Sequence, residues 1–226
     1  MSDLPRRLAA ELLGSCMLAG VVIGSGVMAA RLSNGNDAVA LLANAGATAA
    51  MLFVLITALA PISGAHFNPV VTLVMTLRRA IRPLDGAFYV IVQICGCVLG
   101  AMLAHAMFGL PLLQVGSTAR SGLSQVFSEG VASFALVAVI LLVSKVRESA
   151  IPAAVALTIA AGYWWTASTS FANPAITVAR AFSDTFAGIR PDDAPAFVIA
   201  QLAGALLAWR CCAFLVGGAG FSQAKR

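Results

Sequence analysis

Two short runs carry the polar chemistry of an otherwise apolar chain: Ser63-Gly64-Ala65-His66-Phe67-Asn68-Pro69-Val70 and Ser170-Phe171-Ala172-Asn173-Pro174-Ala175. Proline fits the first turn of a helix, where its missing N–H costs nothing, and asparagine just before it is a strong N-cap. Each run therefore predicts a helix that starts with an asparagine at its tip. The amide of that asparagine offers N–H donors, and the helix start offers the positive end of the backbone dipole. Facing one another, two such tips would hold the oxygen of a passing water or polyol and disfavour a cation. The residues entering the tips, Gly64-Ala65-His66 and Thr169-Ser170-Phe171, can add backbone carbonyls as acceptors on either side.

The rest of the chain says where such tips must sit. Its 226 residues are 60% hydrophobic and 10% charged, with a mean hydropathy of +0.93. A soluble domain carries about 25% charged residues. That excludes a soluble enzyme, a nucleic-acid module and a disordered regulator, and leaves an all-α integral membrane protein. The net charge of +5 lies in short clusters at segment ends, which reads as an orientation signal and not as a nucleic-acid surface. Cys16, Cys95, Cys97, Cys211 and Cys212 lie inside apolar runs and read as packing residues. Neither they nor His66 and His105 have ligand-spaced partners, so no metal or cofactor is expected.

Six spans are expected, at 8–30, 38–62, 86–109, 124–144, 151–170 and 195–217. The two runs that start with Asn-Pro, 68–79 and 173–183, reach only halfway through the hydrocarbon at about 1.5 Å per residue. Non-helical backbone at that depth is tolerated only where protein buries it or it lines a wet cavity. The half-crossing segments follow the second and the fifth span, and Glu11 and Glu129 are each the lone acid of the first span in their half. The chain thus reads as one channel domain of two inverted three-span repeats, 1–115 and 116–226. With both ends inside, the inner loops and termini carry ten Lys and Arg against four outside (Arg31, Arg120, Arg180 and Arg190), so both termini are expected in the cytoplasm. Tyr163, Trp164 and Trp165 suit an interfacial belt or packing better than a pore wall.

Two Asn-Pro dipeptides at equivalent places in inverted halves, with Ser-Gly-Ala-His-Phe leading into the first, resemble the aquaporin, or major intrinsic protein, family over essentially the whole chain. The resemblance implies a right-handed bundle of six transmembrane helices plus two re-entrant half-helices, assembled as a homotetramer with one pore per subunit. It implies that Glu11 and Glu129 are buried acids bonding the re-entrant loops, and that His66 lies on the cytoplasmic side of the pore or packs in its loop. It also implies a passive channel for water and small neutral solutes, with protons and ions excluded. The missing cleavable signal and short tails suggest a bacterial inner membrane.

The chain departs from the family pattern in two places. Val70 replaces the alanine of the first motif, adding methyl groups close behind the tip. More consequentially, Ile176 stands where most members place an arginine, three residues after the second asparagine. Ungapped counting carries the other positions of the outer filter to Thr48, Ala161 and Ser170, all small, so a wide, weakly polar and uncharged ring is expected. The glycerol-type pattern, with Arg-Asp after the second motif, is absent because Ile176-Thr177 stand there. The filter resembles that of a bacterial subgroup for which bulkier neutral solutes, metalloid and arsenic species included, are implied, and a mainly water-selective pore is the alternative. Arg180 lies one turn beyond Ile176, about 6 Å along the helix, and either displaces the filter charge outward or snorkels from the helix end. A secondary transporter shares inverted repeats and broken helices, but ionisable groups at the midplane are limited to Glu11 and Glu129. A membrane enzyme would need a nucleophile, base and orienting group that the chain does not assemble.

Overall fold

The computed structural model describes residues 3–217, and every regular element in them is helical. The helices are α1 (Leu4–Leu32), α2 (Asp37–Ser63), α3 (Pro69–Leu77), α4 (Pro83–Met107), α5 (Leu123–Val146), α6 (Ile151–Trp165), α7 (Pro174–Ala181) and α8 (Ala194–Val216). Local signals set their ends. Asn36 caps α2 by accepting the N–H groups of Ala38 and Val39, and Gly64 ends it in a left-handed conformation with φ 89°. Asn68 and Asn173 cap α3 and α7 in the same way, each followed by proline at the first helical position.

Five of the long helices have the length and apolarity to cross a bilayer. The sixth expected span is shorter than the sequence suggests, because α6 stops at Trp165 and the chain turns extended at Thr166 instead of running helical to 170. Residues 166–173 are needed for something else: they form the non-helical approach to the second tip, and Glu129 draws two of their N–H groups out of any helix.

Helix α1 packs on α4 and α2, α5 packs on α8 and α6, and α2 meets α6. The half-helices α3 and α7 both lie against α4 and α8. Glycine permits the closest approaches: a Cβ on Gly100 of α4 would overlap the Cys16 carbonyl of α1, and one on Gly204 of α8 would overlap the Gly130 carbonyl of α5. These glycines therefore serve helix contacts within the chain. Large apolar side chains such as Leu13, Phe53, Ile91, Leu99, Leu207 and Phe214 are exposed on the outside, whereas Glu11, Gln93, Glu129 and Gln201 are fully buried. This inside-out arrangement suits a bilayer as solvent.

Candidate functional site

A cavity of about 770 Å³ runs between the helices, with Arg78, Lys145 and Glu148 at one end, Tyr163, Ser170 and Arg180 at the other, and Asn68 and Asn173 among the lining residues. Two buried carboxylates build its wall. Glu11 accepts from the Ser63 hydroxyl at 2.7 Å, the N–H groups of His66 and Phe67 at 2.9 and 2.7 Å, and Gln93 Nε2 at 2.7 Å. Glu129 accepts from the Ser168 hydroxyl at 2.6 Å, the N–H groups of Phe171 and Ala172 at 2.9 Å, and Gln201 Nε2 at 2.6 Å. Each glutamine also donates to a threonine of the neighbouring half-helix, Thr72 or Thr177, at 2.9 Å.

The direction of these bonds sets the polarity of the cavity. In a trans peptide the N–H and C=O point opposite ways. With the N–H groups of His66 and Phe67 held by Glu11, the carbonyls of Ala65 and His66 point away from that acid; Ser170 and Phe171 carbonyls stand likewise to Glu129. All four residues line the cavity. Holding the chain so requires left-handed backbone at Ala65, Phe67, Ser170 and Ala172, with φ between 47° and 53°. Such a conformation costs about 1–3 kcal/mol per residue and persists where surroundings over-determine it, as the two carboxylates do here.

At the tips, Asn68 Oδ1 accepts the Val70 N–H at 3.0 Å and Asn173 Oδ1 accepts the Ala175 N–H at 3.0 Å. One N–H of each amide crosses to the other half, from Asn68 Nδ2 to the Ala172 carbonyl and from Asn173 Nδ2 to the Phe67 carbonyl, both 2.8 Å. An amide has two N–H donors, so one remains at each tip for the cavity. The arrangement is a file of carbonyl acceptors, a central pair of donors at two positive helix ends, and carbonyls again.

The Major intrinsic protein family matches the chain over residues 1–159. The chain belongs to that family. It is an integral membrane channel for water and small neutral solutes. It is 53% identical over 206 residues to the aquaglyceroporin AqpS of Rhizobium meliloti, covering 91% of this chain and 88% of that one. A probable aquaporin PIP2-8 of Oryza sativa is 38% identical over 100 residues, 44% of this chain and 34% of that one. The fold is like that of the aquaglyceroporin from Plasmodium falciparum, with a TM-score of 0.67 at 20% identity over 95% and 96% of the two chains.

Gly64, Ala65, His66, Asn68, Asn173, Thr48, Ser170, Ile176 and Arg180 of this aquaporin-family chain all line the cavity. His66 is fixed by Thr72 Oγ1 at 3.0 Å from its Nδ1 and by an edge contact with Tyr89. Pro69, Pro174 and Ala175 are buried behind the tips. Val70 is absent from the cavity wall and packs with Val74, Val137, Leu141, Ala205 and Ala208, so its extra methyl groups fill a helix interface. Ala161 does not line the cavity; it is exposed on the far face of α6. Val155, Ile159 and Tyr163 line it instead, spaced four apart on one helix face. Ungapped counting from Asn173 thus lands two residues from the wall. Tyr163 thus leaves the expected belt for the wall, where its hydroxyl lies 3.3 Å from Thr48 Oγ1, while Trp164 and Trp165 stay exposed. Arg180, one turn beyond Ile176 on α7, also lines the cavity.

Proposed function

We propose that this channel passes neutral solutes larger than water, glycerol among them and metalloid or arsenic species by extension, and excludes ions and protons. The observation that carries the reading is Ile176, an aliphatic side chain on the cavity wall at the third position beyond the second asparagine, with Thr48 and Ser170 on the same wall. A side chain that ends in methyl groups neither narrows the ring as a guanidinium would nor replaces the hydration of water. The printed name of the Rhizobium relative, an aquaglyceroporin, supports the same class. A second reading, mainly water, draws on Tyr163, whose aromatic ring occupies the wall beside Thr48. We further read the chain as two inverted halves meeting at 115/116, both termini in the cytoplasm, in the inner membrane of a bacterium and as a homotetramer. The cavity end at Arg78 and Lys145 is then cytoplasmic and the end at Arg180 outer.

Stopped-flow light scattering on proteoliposomes separates the two solute readings. An osmotic step with an impermeant sugar reads water, and gradients of glycerol and neutral arsenous acid read solute re-swelling in the same vesicles. Re-swelling that disappears in Ile176→Arg is the expected result. Fast shrinkage with no re-swelling in the unmodified protein would mean that the pore selects water.

A further inference from the structure

We infer that Arg180 supplies the outer end of the pore with the guanidinium that position 176 lacks, and that Phe171 is the shelf that holds it there. The inference rests on the reading of position 176 as part of the outer ring. Ile176 and Arg180 are four residues apart on α7 and so share a face, and both line the cavity. Arg180 is only 3% exposed. Its Cζ lies 3.3 Å from the centroid of the Phe171 ring, and its Nε donates to the Ala187 carbonyl. The flat stack and the single carbonyl use one face of the guanidinium and one of its N–H groups.

The other end is unengaged. Among the described residues neither Nη nitrogen has a hydrogen-bond partner in the protein, and neither is sealed from the cavity. A guanidinium has five N–H donors, no acceptor, and keeps its charge. Four donors and a full positive charge are therefore left without a protein partner on a residue that lines the cavity. Among the described residues Arg180 also forms no ion pair, and the Glu129 carboxylate is already engaged by its own loop.

The shelf is itself held in place. Arg120 stands over the same ring with its Cζ 5.0 Å from the centroid, its Nε donating to the Gly188 carbonyl at 2.8 Å and its backbone N–H to Asp193 at 2.8 Å. Phe197 meets Phe171 edge-on with centroids 5.2 Å apart. The ring cannot swing away without breaking contacts with both arginines and Phe197, so Arg180 is a fixed part of the wall and not a loose helix-end side chain. Its place explains how a chain with isoleucine in the filter can still oppose cations at its outer mouth while leaving the ring beside Ile176 open to bulkier neutral molecules.

The test measures two quantities in parallel on the purified full chain: potassium conductance in planar bilayers and glycerol re-swelling in proteoliposomes. Arg180→Leu is expected to raise potassium conductance by about tenfold, the equivalent of about 1.4 kcal/mol of lost barrier. Adding Ile176→Arg to that variant is expected to restore exclusion, which a purely structural role for Arg180 would not produce. Arg180→Lys, which keeps the charge, should hold conductance near the unmodified level, and Arg180→Gln carries the same test as the leucine variant with a polar side chain of similar reach. Potassium conductance unchanged in Arg180→Leu or Arg180→Gln at equal protein insertion overturns the inference. Glycerol impermeability of the unmodified protein would instead overturn the solute reading and leave the conductance result standing.

Discussion

Asn68 and Asn173 are tied to each other's approach chain: each donates from Nδ2, at 2.8 Å, to the carbonyl of the residue just before the other. The two tips therefore close a reciprocal pair, and neither amide can turn without freeing a buried carbonyl on the opposite half. Asn68→Asp keeps the acceptor that caps α3 and replaces the crossing donor with an oxygen that faces the Ala172 carbonyl. A buried group left unpaired in this way costs about 1–3 kcal/mol, so a loss of that size in thermal unfolding in detergent is expected, together with a large fall in water flux. Asn173→Asp should behave alike. Because the double variant breaks both crossing bonds and also sets two carboxylates side by side in a buried site, it should lose more than the sum of the two. Strict additivity in unfolding would show that the halves are not coupled through the asparagines.

Gly14 is the place where α1 is felt at the far tip. A Cβ there would overlap the ring of Phe67, whose N–H is held by Glu11 and whose carbonyl receives Asn173. Gly14→Ala must therefore push Phe67 along a path that ends at the second tip. The expected cost is about 1–3 kcal/mol of overpacking, with reduced flux of both water and glycerol. Trimming the ring with Phe67→Leu in the same chain should recover part of both. An alanine variant as stable and as active as the unmodified protein would mean that Phe67 has room to move without disturbing Asn173.

What could be read from the sequence follows from how local each signal is. Proline and asparagine act within a turn, so the starts of α3 and α7 at Pro69 and Pro174 were legible, and long apolar runs gave five crossing helices to within a few residues. Glu11 and Glu129 stood out because a lone acid in a span must be satisfied, although their partners Gln93 and Gln201 are distant in sequence and carry no pattern of their own. The end of α6 was not legible: 166–170 is as polar and small as a helix end or a re-entrant approach, and only the Glu129 bonds decide between them. Counting from Asn173 across that stretch lands on Ala161, two residues from the wall at Tyr163. The orientation of Val70 was hidden for a similar reason, since which face of a nine-residue helix meets α5 and α8 depends on packing and not on composition.

The connection before α5 is docked to the one after α7 through Asp184. Its carboxylate accepts the Ser117 hydroxyl at 2.6 Å and the Ser117 N–H at 3.1 Å, and these two bonds, the hydroxyl first, hold its pKa below the ordinary carboxylate value of 3.8. A carboxyl whose folded pKa is depressed contributes its stabilisation fully above its unfolded value and loses it as pH falls through the folded one. The docking should therefore be constant above pH 3.8 and loosen below it. Hydrogen exchange at the Ser117 amide, followed across that range, should show protection falling as pH drops beyond the intrinsic change in exchange rate. Asp184→Asn keeps one acceptor and removes the titration, so its protection should follow the intrinsic rate alone; the same pH-dependent loss in that variant would assign the effect to another group.

Tyr163 and Ala161 lie two residues apart on α6 and so on different faces, which allows a direct comparison at the outer ring. Ala161 is exposed on the outside of the bundle, and Ala161→Leu should leave water and glycerol permeability within about twofold, the scale of a change of about 0.5 kcal/mol at an exposed site. Tyr163 lines the cavity with its hydroxyl beside Thr48, and on the proposed function it would offer a polar contact to a hydroxylated solute. Tyr163→Phe removes that contact and keeps the ring. A hydrogen bond worth about 1 kcal/mol corresponds to about fivefold in rate, so glycerol re-swelling should slow by about that factor while water flux changes less. If the leucine at 161 altered solute selectivity and the phenylalanine at 163 did not, α6 would have to be turned by about half a revolution from its place in this structure, and the wall of the pore would be the one that counting from Asn173 suggests.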